Sequence, residues 1–586
     1  RRLRYAAFFF AFMVSFARVY SGVHFPTDVL VGATVALLYT SALLWGVEWL
    51  WQKKAALVAP QWVERVPSLL RPPEKTPSGS LAVPMYDWQR LGWCLIGFVL
   101  LARLWYLASG KIELSEDEAY QWLWSKHLAL SYYSKPPLIA YSHWLSTHIW
   151  GDSAFGVRFF APVLAALGGG ILLVFLARNA NPRAAFFTLA AAVATPMLAV
   201  GATLMTIDAW SVFSWTVAMV LVWRAVEKNS TSAWMFAGVA VGIGMMAKYV
   251  NALQWVCVFL FLWALPSARR QFRRPGLYVA IAISALSLLP VIIWNSQNGW
   301  ITLTHLNERS GLNQEWRYFY GFMLDFVLQE IGLLNPVFFV LTIWACFKFW
   351  KTRTPLQTFL FCMGAPLFIG YFLYTVRARV QPNWIAPAIL PLFALAVMFW
   401  EAHWDTVRRA LRPALKIGFG LGLVAIVFLH DTNLTQKAFS VSLPGKLDPL
   451  ARVRGWSALA KMASEERAKA NLDFIIGGHY GVTSLMTFYT AETRKAAVDN
   501  KLIYALATDR PVNQFYFWPK YVGRVGDDAL FVQRAGAALP VELEKQFERV
   551  EDLGARDVEY RGRTMHQVHF YACRNLRAQA VASDRR

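Results

Sequence analysis

The sequence predicts a mainly α, polytopic membrane protein that ends in a small α/β domain. Of its 586 residues, 56% are hydrophobic and only 16% are charged, which lies outside the range of soluble globular proteins. Apolar stretches of about 20 residues, the length that crosses a bilayer as a helix, recur along residues 1–430. After about residue 431 hydrophobicity drops, and short strand-like and helical runs replace the apolar stretches.

About 13 membrane spans are predicted. They lie near 5–20, 29–50, 91–108, 157–177, 184–200, 209–225, 233–248, 251–266, 276–294, 333–349, 356–375, 385–402 and 416–430. Clusters of Lys and Arg occupy every second loop, and such clusters mark the cytoplasmic side. We therefore expect a multi-pass protein of a bacterial-type inner membrane, in which the loop 109–156 and the C-terminal domain are extracytoplasmic.

Four regions are predicted along the chain. Residues 1–51 hold the first two spans, and residues 52–88, with six prolines among charges, are typical of a cytoplasmic linker. Residues 89–430 form the main membrane domain, and 431–586 form the α/β domain. Within the latter we predict strands at 473–476, 514–517 and 529–532 and a helix at 456–470.

The charge and the cysteines exclude several function classes. The net charge of +22 comes from 58 Lys and Arg against 36 Asp and Glu, but these cations sit in short clusters between apolar runs. A nucleic-acid partner would need them on one soluble face, so none is expected. The five cysteines have neither a disulfide framework nor zinc-site spacing.

The first sizeable outer loop carries the strongest functional signal. It holds Asp117, Glu118 and Lys135, while Asp208 lies in the next outer loop and Lys248 ends a span on the same side. Acidic residues at this place also suit a solvated loop or the first turn of a helix. Sugar transfer from a lipid phosphate, however, needs a carboxylate base and cations for the leaving phosphate. It needs no general acid, unlike glycoside hydrolysis.

The order of these residues resembles a known family. The segments that carry the resemblance are Asp117-Glu118, Lys135-Pro136-Pro137-Leu138, Asp208 and Gly242 to Lys248. Over residues 90–430 the chain is similar to the membrane glycosyltransferases of the GT-C fold, which include protein O-mannosyltransferases and the lipid A aminoarabinose transferase. The resemblance implies that Asp117 is the catalytic carboxylate, acting as base, with Glu118 beside it, that Asp208 supports the site, and that Lys135 contacts the donor phosphate.

Two departures from the family pattern affect cofactors and phosphate binding. Ser134 stands where the aminoarabinose transferases have an acidic zinc ligand, and Tyr120 stands where they have an arginine. The sequence therefore predicts no required cofactor. It leaves open whether a divalent cation assists the reaction, and it identifies no metal ligands.

Other residues must then supply the phosphate contact. The candidates are Lys248, His305, Arg309, Arg158, Arg377 and Arg379. Arg is suited to bidentate phosphate binding, although these cations also suit interfacial anchoring or snorkelling. Tyr133 is a candidate for stacking on a sugar, with membership of an interfacial aromatic belt as the alternative.

A second resemblance covers the N-terminal segment. Arg18, His24 and Asp28, with the spacing they have here, are similar to the last signature of the type 2 phosphatidic acid phosphatases, which implies a nucleophilic His aligned by an Asp. The upstream signatures of that family are missing and Ala17 replaces a serine. We expect this remnant to be inactive as it stands, and we expect the sequence, which starts at Arg1, to be a fragment of a longer protein.

Three functions are compatible with these residues. The leading hypothesis is a hexosyl- or pentosyltransferase that uses a polyprenyl-phosphate sugar, inverts its anomeric centre and modifies a lipid, glycan or protein acceptor of the cell envelope. The alternatives are a polyprenyl-diphosphate or lipid phosphatase acting through Arg18, His24 and Asp28, and a lipid or solute transporter. Transporters usually place charged groups at the midplane between repeats, whereas these lie at loop edges. Membrane lipids are expected partners, and the C-terminal domain is expected to dock the acceptor or to act as support.

Overall fold

The computed structural model describes residues 34, 41–55, 68, 85–310, 320–440 and 443–578. The chain divides into two compact units, 1–91 and 92–586. In the first unit, residues 41–50 are helical and continue into the π-helix Trp51–Ala55. Much of the predicted linker 52–88 lies outside the described residues.

Long apolar helices dominate the second unit. Seven helical segments of the described chain are long and apolar enough to cross a membrane: Trp88–Ala108, Ala154–Asn179, Ile207–Lys228, Pro275–Gln297, Pro355–Tyr374, Pro382–Ala402 and Trp404–His430. A bent pair, Tyr320–Leu333 and Pro336–Lys351, meets at 111° and would make an eighth span. The protein is a multi-pass membrane protein.

Several predicted spans are shorter helices in the structure. Pro182–Val193, Thr231–Ala247 and Tyr249–Ala264 are apolar but fall below the length of a full span. The predicted span 184–200 is interrupted near Thr195, and a new helix, Pro196–Gly201, begins at a proline. Proline removes a backbone donor and its ring clashes with the preceding turn, so a helix ends before it and restarts on it.

Tight helix packing builds the core of the membrane region. Trp215, Trp234, Phe261 and Phe359 are completely or almost completely buried within it. Helices Thr231–Ala247 and Pro275–Leu286 approach most closely at Gly238, where a Cβ atom would lie 2.4 Å from the Ala280 carbonyl oxygen. Small residues at such contacts let two helix backbones approach closely. The resulting van der Waals packing stabilises helix association in lipid, where the hydrophobic effect contributes little.

Four shorter helices join or flank these segments. They are Glu116–Lys126, Leu138–Trp150, Ile301–Ser310 and Leu434–Phe439. The first two lie in the predicted outer loop 109–156.

The C-terminal domain is built on a five-stranded sheet. Its strands are β1 (Phe474–Gly477), β2 (Ile503–Ala505), β3 (Ala529–Arg534), β4 (Phe547–Tyr560) and β5 (Arg563–Leu576), in the spatial order β2-β1-β3-β5-β4. Strand β1 pairs in parallel with β2 and β3, whereas β5 pairs antiparallel with β3 and β4. The domain's helices are Trp456–Lys469, Tyr480–Tyr489, Ala491–Lys495 and Val541–Gln546.

The predictions for this domain are partly confirmed. The strands at 473–476 and 529–532 and the helix at 456–470 match β1, β3 and Trp456–Lys469. The strand predicted at 514–517 is wrong, because this segment is a 3₁₀ helix, Gln514–Phe517, capped by the Asn513 side chain. An Asn side chain that bonds the nearby backbone favours a turn over a strand.

The predicted outer loop 109–156 and the C-terminal domain share one hydrophobic core. Leu114, Ala119 and Trp122 are completely buried together with Leu485 and Phe488 of the C-terminal domain. Trp122 meets Phe488 edge-on at a ring-centroid distance of 4.9 Å. The regions predicted on either side of residue 430 therefore pack as parts of one compact unit.

Candidate active site

A large cavity of about 2180 Å³ is lined by polar residues of the predicted outer loops. Its polar wall includes Asp117, Lys135, Asp208, Lys248 and Arg309. The cavity continues along an apolar wall that includes Leu95, Ile96, Leu172 and Leu189, and the C-terminal domain adds His479, Tyr480 and Arg534. Residues that are distant in the sequence, such as Asp117 and Arg534, thus line one space.

Asp117 reaches the cavity from the first turn of helix Glu116–Lys126. Ser115 caps this helix, accepting the Glu118 N–H, while the Glu118 side chain accepts the Ser115 N–H, which forms a capping box. The Asp117 side chain is exposed to the cavity. Its Oδ1 atom accepts a hydrogen bond of 3.3 Å from the Tyr480 hydroxyl.

Glu118, predicted to lie beside Asp117 in the catalytic site, is completely buried and is not among the residues that line the cavity. Its carboxylate accepts two bonds of 2.7 Å from the Arg158 guanidinium, two of 2.9 Å from Ser115, and one of 3.1 Å from the Met205 N–H. Burial opposes its ionisation, but the charge and hydrogen bonds of Arg158 and those of Ser115 lower the pKa of Glu118. The Arg158 guanidinium is bound to Glu118. The structure therefore does not support the prediction that Arg158 binds phosphate.

Lys135 presents its amine to the cavity from a proline-braced turn. The Tyr132 N–H donates to the Lys135 carbonyl at 3.2 Å, and two buried prolines follow. Within the described parts of the chain, the Lys135 amine makes no hydrogen bond or ion pair. Burial lowers the pKa of Lys135, opposed by the negative charge of Asp117, so an anion beside this amine would favour its charged form.

Two side chains from distant parts of the sequence bind Asp208, besides the neighbouring Thr206 hydroxyl. The Lys248 Nζ atom lies 2.7 Å from Asp208 Oδ1, and the Asn383 amide donates to Oδ2 at 2.7 Å. Lys248 is therefore an ion-pair partner rather than a snorkelling side chain. Asn383 lines the cavity, as does Arg379 four residues earlier.

Of the remaining residues predicted to bind phosphate or sugar, Arg309 lines the cavity, whereas Tyr133 and His305 do not. Arg309 is exposed and lines the cavity. Tyr133 and His305 pack ring against ring at 4.7 Å, and neither is among the residues that line the cavity. Burial, and then the charges of Arg309 and Lys135, lower the pKa of His305, which favours the neutral ring. Tyr120 is buried, and its hydroxyl accepts the Gln514 N–H at 2.6 Å.

Comparisons with known proteins show which membrane enzymes the chain is similar to. The sequence profile of the dolichyl-phosphate-mannose-protein mannosyltransferases matches residues 134–294. A lipid A galacturonosyltransferase, RgtD of Rhizobium johnstonii, is 24% identical over 403 residues, which are 68% of this chain and 81% of that protein. An undecaprenyl phosphate-α-4-amino-4-deoxy-L-arabinose arabinosyl transferase of Pseudomonas fluorescens is 24% identical over 62% of this chain and 69% of that protein.

Solved structures show the same fold. ArnT from Cupriavidus metallidurans in the apo state has a TM-score of 0.57 at 14% identity, covering 84% of this chain and 99% of that one. The structure of that protein bound to undecaprenyl phosphate gives 0.51 at 15% identity, over 83% of this chain and 98% of that one. The protein is an integral-membrane glycosyltransferase with the GT-C fold. The resemblance to the GT-C membrane glycosyltransferases is confirmed, whereas the roles of Asp117, Lys135 and Asp208 stay predictions.

Three residues of the glycosyltransferase site were missed by sequence reasoning. Glu116 lines the cavity and pairs with Arg534, and it lies 3.6 Å from His479. Gln514 accepts the Tyr133 N–H at 2.6 Å through its side chain while its own N–H donates to Tyr120. Tyr480 contacts Asp117 from 363 positions later in the chain. No local pattern marks Tyr480 or Gln514.

Among the described residues, no three His, Cys, Asp or Glu side chains come together as a ligand group. The oxygens of Asp208 accept hydrogen bonds from Lys248 and Asn383. A divalent cation at this site stays an untested prediction.

The N-terminal resemblance rests on sequence alone. The PAP2 superfamily profile matches residues 1–52. Arg18, His24 and Asp28 lie outside the residues that the structure describes, so their predicted roles stay predictions.

Proposed function

We propose that this glycosyltransferase moves a sugar from a polyprenyl-phosphate donor to an acceptor at the outer face of a bacterial inner membrane. Asp117 is the base and Lys135 binds the donor phosphate. The observation that carries the proposal is the shared cavity, in which an exposed carboxylate and an unpaired amine face a space that continues along an apolar wall. Such a space suits a substrate with a charged head and a lipid tail.

Asp117 acts on the acceptor. Tyr480 engages Oδ1, so Oδ2 is the oxygen that accepts the proton of the acceptor hydroxyl. The hydroxyl oxygen then attacks the anomeric carbon from the side opposite the phosphate. The bond from the anomeric carbon to the phosphate oxygen breaks, and the configuration is inverted.

Lys135 acts on the leaving group. As the bond breaks, negative charge grows on the phosphate, and a positioned cation stabilises that charge without further rearrangement. Arg309 lines the same cavity and adds a planar guanidinium suited to phosphate oxygens. A phosphate leaves readily, so no general acid is required.

The second acidic position supports this arrangement. Asp208 holds Lys248 and Asn383, two groups that line the cavity on the side of Lys135. Because the Lys248 charge is largely neutralised by Asp208, we assign it to shaping the donor pocket rather than to binding the phosphate directly.

The relatives indicate substrate classes. One is named for galacturonosyl transfer to lipid A and another for an undecaprenyl-phosphate aminoarabinose donor. These names favour a polyprenyl-phosphate donor and a lipid acceptor for this chain. Transfer of the sugar to a glycan or a protein instead would change the proposed acceptor.

Purified Asp117→Asn protein tests the proposal when it is incubated with radiolabelled polyprenyl-phosphate sugars and total membrane acceptors. Transfer should disappear while expression and detergent-extracted yield match the wild type. Asp509→Asn is the matched control, because Asp509 is an exposed carboxylate of the C-terminal domain that does not line the cavity. Full transfer by Asp117→Asn would remove the base, and substrate counterflow without any sugar transfer would favour a transporter.

A further inference from the structure

We propose that the C-terminal domain is a working part of the catalytic site, and that its Tyr480 is a positioning residue for the Asp117 carboxylate. This inference rests on the proposed role of Asp117. It assigns to the domain a function beyond acceptor docking or support.

The hydrogen bond between the two residues is the first observation. Tyr480 is the first residue of helix Tyr480–Tyr489, and its hydroxyl donates to Asp117 Oδ1 at 3.3 Å. Burial, and then the negative charges of Asp117 and Glu116, raise the pKa of Tyr480, so its hydroxyl keeps the proton that it donates. One carboxylate oxygen is thereby fixed, which leaves the other directed at the substrate.

The close packing around Tyr480 is the second observation. Its ring contacts that of Tyr120 at a centroid distance of 4.6 Å, and Tyr120 stacks on Phe515 at 5.7 Å. The next residue is Gly481, where a Cβ atom would lie 2.6 to 2.7 Å from side-chain atoms of Glu116. Glycine at this position lets the domain approach the first turn of helix Glu116–Lys126 this closely.

Polar contacts hold the domain against both catalytic segments. Glu116 pairs with Arg534 and lies 3.6 Å from His479. Gln514 bonds Tyr120 on the helix that carries Asp117 and Tyr133 on the turn that carries Lys135. A single buried residue of the domain thus sets the spacing between the proposed base and the proposed phosphate ligand.

Other ionisable groups lie near this pair. The charges of Glu116 and Arg309 act on Tyr480, and those of Asp117, Lys248, Arg309 and Asp208 act on Lys135. Arg534 pairs with Glu116, and His479 lies beside it. These groups all remain when only the Tyr480 hydroxyl is removed, so a change in kcat then reports on this hydroxyl.

Tyr480→Phe is the test, measured as the kcat of sugar transfer and the KM of the donor. Without the hydroxyl, the Asp117 carboxylate loses the contact that orients it. We expect kcat to fall by about tenfold with the donor KM unchanged, because a misplaced base slows only the chemical step. Replacing Tyr480 by 3-fluorotyrosine, which keeps the hydroxyl, should leave kcat within about twofold of the wild type.

Tyr489→Phe is the matched control. Tyr489 ends the same helix, and its hydroxyl accepts the Leu114 backbone N–H at 2.7 Å instead of donating to a carboxylate of the cavity. Tyr489→Phe should lower the melting temperature and leave kcat within about twofold of the wild type. If Tyr480→Phe keeps the wild-type kcat, or if it changes only stability as Tyr489→Phe does, the inference is overturned. If the inference fails in this way but Asp117→Asn is inactive, the proposed role of Asp117 still stands. If Asp117→Asn is active, the proposed function fails as well.

Discussion

Asp117 and Glu118 are neighbours in the chain but belong to two different regions of the molecule. Asp117 faces the cavity with a single hydrogen bond from Tyr480, so one of its oxygens is available for chemistry. Glu118 is completely buried, and both of its oxygens are occupied by Arg158, Ser115 and Met205. The difference shows that neighbouring acids can have different surroundings: Asp117, the proposed base, lines the cavity, whereas Glu118 fixes the backbone that presents it.

The largest expected effects come from substituting Asp117 and Glu118, which tests their different roles directly. Asp117→Asn should reduce transfer by about 100-fold to 10,000-fold, the range of a general base, with an unchanged melting temperature. Glu118→Gln should destabilise the fold by about 3–5 kcal/mol, because it leaves the Arg158 charge buried without its partner. Transfer assays and thermal unfolding in detergent separate the two results. Equal losses of stability in both variants would contradict the division of tasks.

The two lysines of the cavity extend the comparison. Lys135 has no partner among the described residues, whereas Lys248 is bound to Asp208. Lys135→Gln should lower kcat by about 100-fold, because a cation aimed at the leaving phosphate is lost. Lys248→Gln should cost about tenfold, through a less ordered Asp208. The kcat and donor KM of both variants measure this, and a larger effect for Lys248→Gln would reverse the assignment.

The pH dependence of stability sharpens the role of Glu118. Its pKa is lowered in the folded protein, because Arg158 and Ser115 outweigh the effect of burial. The resulting stabilisation is fully present above the ordinary glutamate pKa of 4.5 and is lost as the pH falls below it. The melting temperature should therefore drop below about pH 4.5, by roughly 2–4 °C for each kcal/mol lost. Glu118→Gln should show a flatter curve over this range, and an unchanged slope would contradict the argument.

The smallest expected effect concerns the N-terminal segment. His24→Ala should leave sugar transfer unchanged within about twofold, because the proposed reaction uses only groups of the cavity. The same protein should be assayed for phosphate release from a polyprenyl diphosphate. A loss of transfer on this substitution would connect the phosphatase-like segment to the glycosyltransferase reaction.

Much of the site was predictable because loops on one side of a membrane can meet. Alternating basic loops placed Asp117, Lys135, Asp208 and Arg309 on the same side, and all four line one cavity. The placement of Glu118 was missed because successive helix residues point about 100° apart, so neighbours face different surroundings. The Ser115 to Glu118 spacing is that of a capping box, and this signal was available in the sequence.

The contributions of the C-terminal domain were beyond sequence reasoning. Tyr480 and Gln514 act through contacts with residues 363 and 394 positions away. The β4–β5 hairpin was also missed, since charged residues interrupt the apolar alternation of β4 (Phe547–Tyr560). Its turn at Arg561 and Gly562 has positive φ angles of 54° and 71°, which suits the twist of paired strands.

The contacts of Gln514 also set an order of events during biosynthesis. The helix that carries Asp117 leaves the ribosome almost 400 residues before Gln514, which bonds Tyr120 on that helix. Until the late segment has been translated, Tyr120 and the Tyr133 backbone lack the hydrogen bonds that join their two segments through Gln514. The contacts around the cavity can therefore be completed only when synthesis is nearly finished.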